Sequence, residues 1–149
     1  MNLKKILYDQ CQTYVQQRID TARQAMEAAQ EAANSESKSS AGDKYETGRA
    51  MAQLERDRHA QLLAEALKLE QDLSRLNMDK LYNTIQAGSL AVTSRGAFFI
   101  SISAGKLTLD GKDYFAISPA SPIAMALTGH RAGDTILFNK LPYQVISIV

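Results

Sequence analysis

Two carboxylates three residues apart, Asp43 and Glu46, are the residues whose types and spacing best suit chemistry. Positions i and i+3 of a helix lie on one face, so both side chains can reach the same cation. Mg²⁺ is commonly held by one or two carboxylates together with phosphate and water oxygens. In a two-metal site, such an ion stabilises the attacking and the leaving oxygen. Two carboxylates bind the ion weakly alone, so the pair is a candidate for part of a magnesium site rather than a whole one.

A structural interpretation of the same acids stays open. Acidic side chains in the first turn of a helix are favoured by the helix dipole. The run Ser40-Ala41-Gly42-Asp43 also fits a capping box, in which Asp43 only satisfies the start of the helix. Close by, Tyr45 and Arg49 are candidates for contact with RNA or a protein partner, or else they are ordinary surface. The spacing alone does not choose between these interpretations.

The other reactive side chains form no catalytic pattern that we recognise. His59 and His130 are far apart, and with only Cys11 they lack the spacing of a zinc site. Cys11 falls on an apolar helical stripe without a nearby His, which predicts core packing rather than nucleophilic catalysis. Arg56, Arg58 and His59 are predicted to be solvated helix surface. There is no phosphate-binding glycine loop or GxSxG element, so an acyl-transferase or condensing-enzyme assignment has no support.

The charges of this 149-residue chain are unevenly distributed, although the net charge is only +1. Residues 1–80 carry 12 of the 17 Lys and Arg residues and 13 of the 16 acids. Such crowding of both signs indicates long solvated helices, and the small net charge does not predict bulk binding to DNA or to membranes. One cysteine, no signal-peptide pattern and no membrane-length apolar run predict a cytoplasmic protein.

Two stretches poor in helix breakers flank a serine-rich run at residues 34–42. The first extends from Asn2 to about Asn34, and its apolar residues recur every three or four positions. The second extends from about Asp43 to Met78. Two such helices joined by a short polar turn predict an antiparallel coiled-coil hairpin over residues 1–80, with its tip at about 35–46. The predicted apolar face of the second helix comprises Met51, Leu54, Leu62, Ala66, Leu69, Leu73 and Leu76.

The pattern changes after Lys80, and residues 81–149 are predicted to form a small β-sheet domain with one short helix. Strand-like runs flank a turn at residues 94–96, and a second hairpin turns on Asp110-Gly111. The segment Ser121–Leu127 has a serine cap and a proline in the first turn, as short helices do. Two last strands are expected around Asn139-Lys140. The predicted fold class is therefore α+β.

The segment Ser118–Asp134 resembles the C-terminal signature of the Gre-type transcript-cleavage factors of bacterial RNA polymerase, SPIxxALxGxxxGD. In physical terms the signature is a capped helix whose Ile and Leu face the sheet, a glycine C-cap, and a Gly-Asp turn into a strand. The resemblance implies an FKBP-like C-terminal domain, which we expect to act as a docking module. The matching residues are Ser121, Pro122, Ile123, Ala126, Leu127, Gly129, Gly133 and Asp134.

The predicted tip is similar to the same family, which carries a Gly-Asp pair followed three residues later by Glu. Here Gly42, Asp43 and Glu46 occupy those positions. The resemblance implies that the hairpin enters the secondary channel of RNA polymerase. There, Asp43 and Glu46 would help to hold the second Mg²⁺ of the polymerase next to the nascent RNA 3′ end. The polymerase would then cleave backtracked RNA with its own catalytic centre. The resemblance thus implies an accessory factor that is not itself an enzyme and has no cofactor of its own, and the factor is expected to be a monomer.

The tip also departs from the family pattern. Lys44 lies between the two acids, and Thr47-Gly48-Arg49-Ala50 replaces the family's Asn-Ala-Glu-Tyr, so that Arg49 stands where another acid is expected. Two alternatives therefore stay open. One is a secondary-channel regulator that does not promote cleavage, and the other is a coiled-coil adaptor without a role in transcription. The remaining leucines, Leu62, Leu63 and Leu67, would suit a dimer instead of a monomer.

Overall fold

The computed structural model describes residues 2–37 and 43–149, except for the side chains of residues 36, 37 and 43–46. Along this part of the chain, two long helices are followed by six strands and one short helix. This arrangement confirms the predicted α+β fold, a helical hairpin followed by a small sheet with a short helix. The elements are α1 Leu3–Ser37, α2 Asp43–Ser74, β1 Leu90–Thr93, β2 Gly96–Ile100, β3 Gly105–Leu109, β4 Lys112–Ile117, α3 Pro122–Leu127, β5 Thr135–Phe138 and β6 Leu141–Ile148.

Helix α1 keeps one face out of water over much of its length. It ends at Ser37, three residues beyond the predicted end at about Asn34. The amide of Gln30 donates to the Asn34 side-chain oxygen at 3.2 Å, and an i, i+4 pair of this kind supports the additional turn. The buried positions recur every three or four residues, as the periodicity predicts: Leu7, Cys11, Val15, Ile19 and Ala22.

Helix α2 ends at Ser74, four residues before the predicted end at Met78. The N–H groups of Arg75 and Leu76 donate to carbonyls three residues back, which tightens the last turn. The Asn77 side-chain oxygen then accepts from the Asp79 N–H at 2.9 Å, a local turn that competes with helix. None of the helices in the described residues combines the length and the apolar character that crossing a bilayer requires.

The predicted apolar face of α2 is only partly correct. Ala66 and Leu73 are buried, whereas Met51 and Leu54 are 63% and 69% exposed. Leu62, in the same predicted stripe, is 39% exposed. Helical periodicity shows which residues share a face, but a stripe is buried only along the length that another element covers.

The strands form one mixed sheet in the order β3-β4-β2-β1-β6-β5 within the described part of the chain. Neighbouring strands are antiparallel except β2 and β4, which are parallel. The predicted turns at residues 94–96, 110–111 and 139–140 are all confirmed, since each joins two paired antiparallel strands. Asp110 and Gly111 have φ of 52° and 76°, and Asn139 and Lys140 have φ of 50° and 65°. Positive φ at both central residues produces the turn twist that antiparallel strands prefer.

Helix α3 covers one face of the sheet, and its inward residues close the core there. Ala124 and Leu127 are fully buried, and Ile123 packs against the same cluster. The segment before β1 adds the fully buried Ile85, whose backbone exchanges hydrogen bonds with Gly129 and His130 just after α3. The other buried members of this core are Ala91, Phe98, Ile100, Ile136 and Val145.

A buried lysine fastens the start of α1 to the segment before β1. Lys4 is 1% exposed, and its Nζ donates to the Lys80 carbonyl at 2.8 Å and to the Gly88 carbonyl at 3.4 Å. The same ammonium lies 4.8 Å from the centre of the Tyr82 ring. Gly88 has φ of +94°, and a Cβ there would meet the Tyr82 hydroxyl at 3.0 Å. Burial lowers the pKa of Lys4, because desolvation penalises the charged form.

The chain divides into two compact units. Met1–Tyr14 and Gln71–Val149 form the first, here called the sheet unit, and Val15–Glu70 form the second, here called the hairpin unit. In the sheet unit, the Tyr8 hydroxyl donates to the Leu73 carbonyl at 3.1 Å and joins the two long helices there. The predicted domain boundary between residues 80 and 81 stays a prediction.

Candidate functional site

The acid pair lies at the beginning of α2. Asp43 is the first residue of this helix, and Tyr45 and Glu46 belong to its first turn. The side chains of these three residues lie outside the described residues. The convergence of the two carboxylates on one Mg²⁺, and the contact assigned to Tyr45, therefore stay predictions.

Arg49 lies one turn beyond Glu46 and is exposed. Thr47 and Ala50 beside it are also exposed, and Met51 follows with 63% of its side chain accessible. The described part of α2 nearest to the acids therefore presents its side chains to solvent. The predicted contact of Arg49 with RNA or polymerase stays a prediction.

Further along α2, two arginines and a histidine lie next to acids of the same helix. Arg58 and His59 both reach the Glu55 carboxylate, at 3.5 Å and 3.4 Å. Arg56 lies 3.4 Å from the carboxylate of Asp57. These arginines and acids are exposed, so each pair contributes little to stability. The prediction of solvated helix surface is confirmed for Arg56 and Arg58, whereas the His59 side chain is only 20% exposed.

Cys11 is a structural residue. Its side chain is fully buried, and Sγ lies 3.9 Å from the Ser101 hydroxyl. Burial raises the pKa of the thiol to about 11, although the Ser101 contact opposes the shift. The thiolate is the nucleophilic form, and it is negligible at neutral pH with such a pKa. The predicted core role of Cys11 is therefore confirmed.

Metal ligands are not clustered in the part of the chain that the structure describes. There, no group of three or more His, Cys, Asp and Glu side chains could hold an ion. His130 pairs with Asp134 at 3.3 Å instead, and the same carboxylate accepts from the Arg131 N–H at 2.9 Å. The Arg131 N–H bond, followed by the one from His130, lowers the pKa of Asp134. This carboxylate therefore shapes the turn before β5.

The signature around α3 folds as its sequence predicts. Ser121 caps the helix with its side chain accepting from the Ala124 N–H, and Pro122 occupies the first turn. Leu127 is fully buried, and Gly129, just past the C-cap, has φ of +87°. Left-handed backbone at this position favours glycine, which has no Cβ to clash. The signature thus specifies local structure, while the FKBP-like character and docking role of the sheet unit stay predictions.

The structure also contains a cleft that the sequence did not reveal. It has a volume of about 410 Å³ and is lined by Ser94, Arg95, Thr135, Pro142 and Gln144. These residues come from the β1–β2 turn and from β5 and β6, which are distant along the chain. In the sequence, Arg95 is only a polar turn residue, so no local signal marks the cleft.

Solved structures that are similar to this chain include two of one transcription factor. The crystal structure of GreA factor homolog 1 (Gfh1) of Thermus thermophilus is 23% identical, with 95% of this chain and 94% of that chain covered and a TM-score of 0.36. Another structure of the transcription factor Gfh1 is 23% identical, with 95% of this chain and 92% of that chain covered and a TM-score of 0.34. No protein-family model and no curated protein matches the sequence significantly. Both solved structures are of Gfh1, a GreA factor homolog.

Proposed function

We propose that this protein is an accessory factor of RNA polymerase that stimulates cleavage of backtracked RNA. Its hairpin enters the secondary channel, where Asp43 and Glu46 act as ligands of the second Mg²⁺. The observation that carries the proposal is that α2 begins at Asp43 and includes Glu46 three residues later. The factor works as a monomer, in the cytoplasm with the bacterial polymerase.

The C-terminal signature supports the same assignment. The serine cap, the proline of the first turn and the left-handed glycine of α3 all occur at the positions that the Gre-type pattern requires. One chain therefore combines this signature with a helical hairpin and with an acid pair at the start of its second helix. Each feature alone is common, but their order along the chain is the one expected of a Gre-type factor.

The chemistry explains why the chain needs a partner. Two carboxylates leave most positions around Mg²⁺ to be filled by water or phosphate oxygens. A polymerase supplies a first ion, further ligands and the RNA phosphate, so that the added carboxylates complete a two-metal site. The chain itself is then not an enzyme, because the catalytic centre belongs to the polymerase.

The second candidate is a channel regulator that does not promote cleavage. Lys44 between the acids and Arg49 one turn beyond Glu46 favour it, since nearby cations weaken the attraction of the pair for Mg²⁺. Arg49 is exposed on α2, in the helix that carries the acids. A regulator of this kind would occupy the secondary channel without delivering an effective pair of ligands.

The test is RNA cleavage in a stalled, backtracked elongation complex with cognate polymerase and Mg²⁺. Asp43→Asn and Glu46→Gln keep shape and remove charge, so each is expected to lower stimulated cleavage by roughly 10- to 100-fold. Glu55→Gln is the matched control, because it removes an exposed acid of α2 nine residues beyond Glu46. The control is expected to cleave as the wild type does.

Other outcomes separate the alternatives. Wild-type protein that binds polymerase without stimulating cleavage would identify the regulator, and Arg49→Glu is then expected to restore part of the activity. Failure to bind polymerase in a pull-down would reject both transcription roles and leave a coiled-coil adaptor. Equal cleavage by wild type and by both acid variants would contradict the metal-ligand roles of Asp43 and Glu46.

A further inference from the structure

The cleft beside the β1–β2 turn is built around a positioned arginine. Arg95 Nε donates to the Pro142 carbonyl at 2.7 Å, and its guanidinium lies 5.8 Å from the centre of the Tyr143 ring. These contacts restrict the side chain before any ligand binds, which lowers the entropy cost of a further contact. The guanidinium also keeps its terminal N–H groups, which suit planar anions.

The turn that carries Arg95 is held to β6 by two hydrogen bonds between Ser94 and Gln144. The Ser94 N–H donates to the Gln144 carbonyl at 2.9 Å, and the Gln144 N–H donates to the Ser94 hydroxyl oxygen at 3.0 Å. The Ser94 O–H therefore stays available to donate. With the Thr135 hydroxyl, the Gln144 amide and the Arg95 guanidinium, four of the five lining residues can donate hydrogen bonds, and Pro142 is the exception.

The charge of the cleft is not offset by an acid. No carboxylate lines it, and among the described residues none pairs with Arg95. One cation with several neutral donors matches a single carboxylate, which accepts hydrogen bonds on both oxygens. A nucleic acid would be expected to meet several Lys and Arg side chains along its phosphates, and Arg95 is the one basic residue in the lining of this cleft.

An apolar surface adjoins the donors on the outer face of the β5–β6 hairpin. Leu137 pairs directly with Pro142 across the two strands and is 72% exposed. Thr135 and Gln144 are the next pair on that face, because alternate residues of a strand point the same way. Ile136 and Tyr143, the pair between them, face the other way, where Ile136 is buried and Tyr143 packs against the core. A ligand in the cleft would therefore meet charge and apolar surface side by side.

We propose that this cleft is a docking site for an acidic side chain of a protein segment in which an apolar residue neighbours a Glu or Asp. The carboxylate binds Arg95 with Ser94, Thr135 or Gln144, and the apolar neighbour covers Leu137 and Pro142. The site differs from the acid pair of α2 in charge and in chemistry. It does not depend on whether the chain acts on RNA polymerase.

The test uses nuclear magnetic resonance of the full-length protein and a blocked leucine–glutamate–leucine tripeptide. We expect saturable amide shifts at Ser94, Arg95, Thr135 and Gln144. The glutamine version of the peptide is expected to bind at least about tenfold more weakly, because a charge-assisted hydrogen bond is lost. Inorganic phosphate is the second probe, and it is expected to bind more weakly than the glutamate peptide because it offers no apolar contact.

Variants locate the site and control for folding. Arg95→Gln is expected to weaken binding about tenfold or more, whereas Arg131→Gln, the same change elsewhere in the sheet unit, is expected to leave it unchanged. Thr135→Val removes one donor without touching the Arg95 contacts and is expected to weaken binding a few-fold. Unchanged amide spectra outside the cleft would show that each variant is folded.

Four results would overturn the proposal. The first is the absence of saturable shifts at the cleft with the glutamate peptide, and the second is equal affinity for its glutamine version. The third is unchanged affinity in both Arg95→Gln and Thr135→Val. The fourth is binding of phosphate at least as tight as that of the peptide, which would indicate a general anion site rather than a site for an acidic protein segment.

Discussion

The sheet unit and the hairpin unit bury their side chains in different ways. The sheet unit encloses large residues completely, such as Phe99, Ile100 and Leu127. In the described part of the hairpin unit the buried residues are smaller and fewer, whereas Met51 and Leu54 of α2 are mostly exposed. The hydrophobic residues buried in the hairpin unit are Val15, Ile19, Ala22, Ala33 and Ala66.

This difference suggests that the sheet unit mainly stabilises the fold, whereas the hairpin unit is freer to serve binding. Burial of apolar surface is the main favourable term in folding, so the sheet unit supplies most of the stabilisation that the described residues reveal. The hairpin unit leaves many side chains free of packing constraints, and it contains the acids Asp43 and Glu46. Substitutions at exposed positions outside the core usually change stability little, so such positions are free to take residues that suit binding. The proposed polymerase-directed chemistry is assigned to two residues of the hairpin unit.

The largest expected effect comes from one substitution made in both units. Leu7 and Leu54 lie in long helices, but Leu7 is fully buried in the sheet unit and Leu54 is 69% exposed in the hairpin unit. Leu7→Ala is expected to lower the free energy of unfolding by about 2–5 kcal/mol, because it leaves a cavity. Leu54→Ala is expected to change it by less than about 0.5 kcal/mol. Urea denaturation followed by circular dichroism measures both.

Leu7→Met serves as the control for this comparison, since it nearly conserves volume and should cost less than about 1.5 kcal/mol. If Leu54→Ala proved as destabilising as Leu7→Ala, the exposed face of α2 would have to be covered in solution. A second copy of the chain would then be the first partner to examine, by measuring the oligomeric state.

The sequence predicted best those elements whose residues have strong local preferences. Asp110-Gly111 predicted a hairpin turn, and both residues have positive φ. Ser121 and Pro122 predicted the start of α3, and the serine caps the helix. These signals are readable because a turn or a cap depends on backbone geometry within a few residues, which the residue types themselves restrict.

Features that depend on distant parts of the chain were not predicted. The parallel pairing of β2 and β4 depends on a crossover that no local pattern specifies. Lys4 lies in the first turn of α1, next to other polar residues, so the local sequence does not indicate burial. It is buried because its ammonium binds the Lys80 and Gly88 carbonyls, which are far away along the chain. The cleft around Arg95 likewise assembles from residues 94–144. For the acid pair the sequence supplied the spacing, but the side-chain geometry stays a prediction.

An intermediate effect is expected from Lys4, the buried cation of the sheet unit. Lys4→Met should lower the free energy of unfolding by about 1–2 kcal/mol, because the Lys80 and Gly88 carbonyls lose a donor. Removing the buried charge also removes its desolvation penalty, which offsets part of the lost stability. Lys68→Met is the matched change at an exposed lysine of α2 and should alter stability by less than about 0.5 kcal/mol. If the two substitutions changed the free energy of unfolding equally, the structural role assigned to Lys4 would be contradicted.

The same lysine predicts a pH dependence whose sign follows from its lowered pKa. Because burial lowers the pKa of Lys4 in the folded chain, the unfolded chain holds more protons between that pKa and 10.5. Stability rises with pH wherever the unfolded state binds more protons. The penalty of the buried charge is therefore fully present below the folded pKa and disappears as pH rises toward 10.5. The wild-type free energy of unfolding, minus that of Lys4→Met, should increase through this window, and a flat or falling difference would contradict the assignment.

The smallest expected effect is that of a glycine-to-alanine substitution, which should destabilise the sheet unit and stabilise the hairpin unit. Gly111 has φ of +76°, and a Cβ added there would meet no described atom within 4 Å. Gly111→Ala should therefore cost about 1 kcal/mol through backbone conformation alone. Gly48 lies inside α2, where glycine is unfavourable by roughly 0.5–1 kcal/mol relative to alanine, so Gly48→Ala should stabilise the helix. Denaturation measures the first change, and amide hydrogen exchange around residues 47–55 measures the second. Faster exchange in Gly48→Ala would mean that this glycine serves a close contact, because helix propensity alone requires slower exchange.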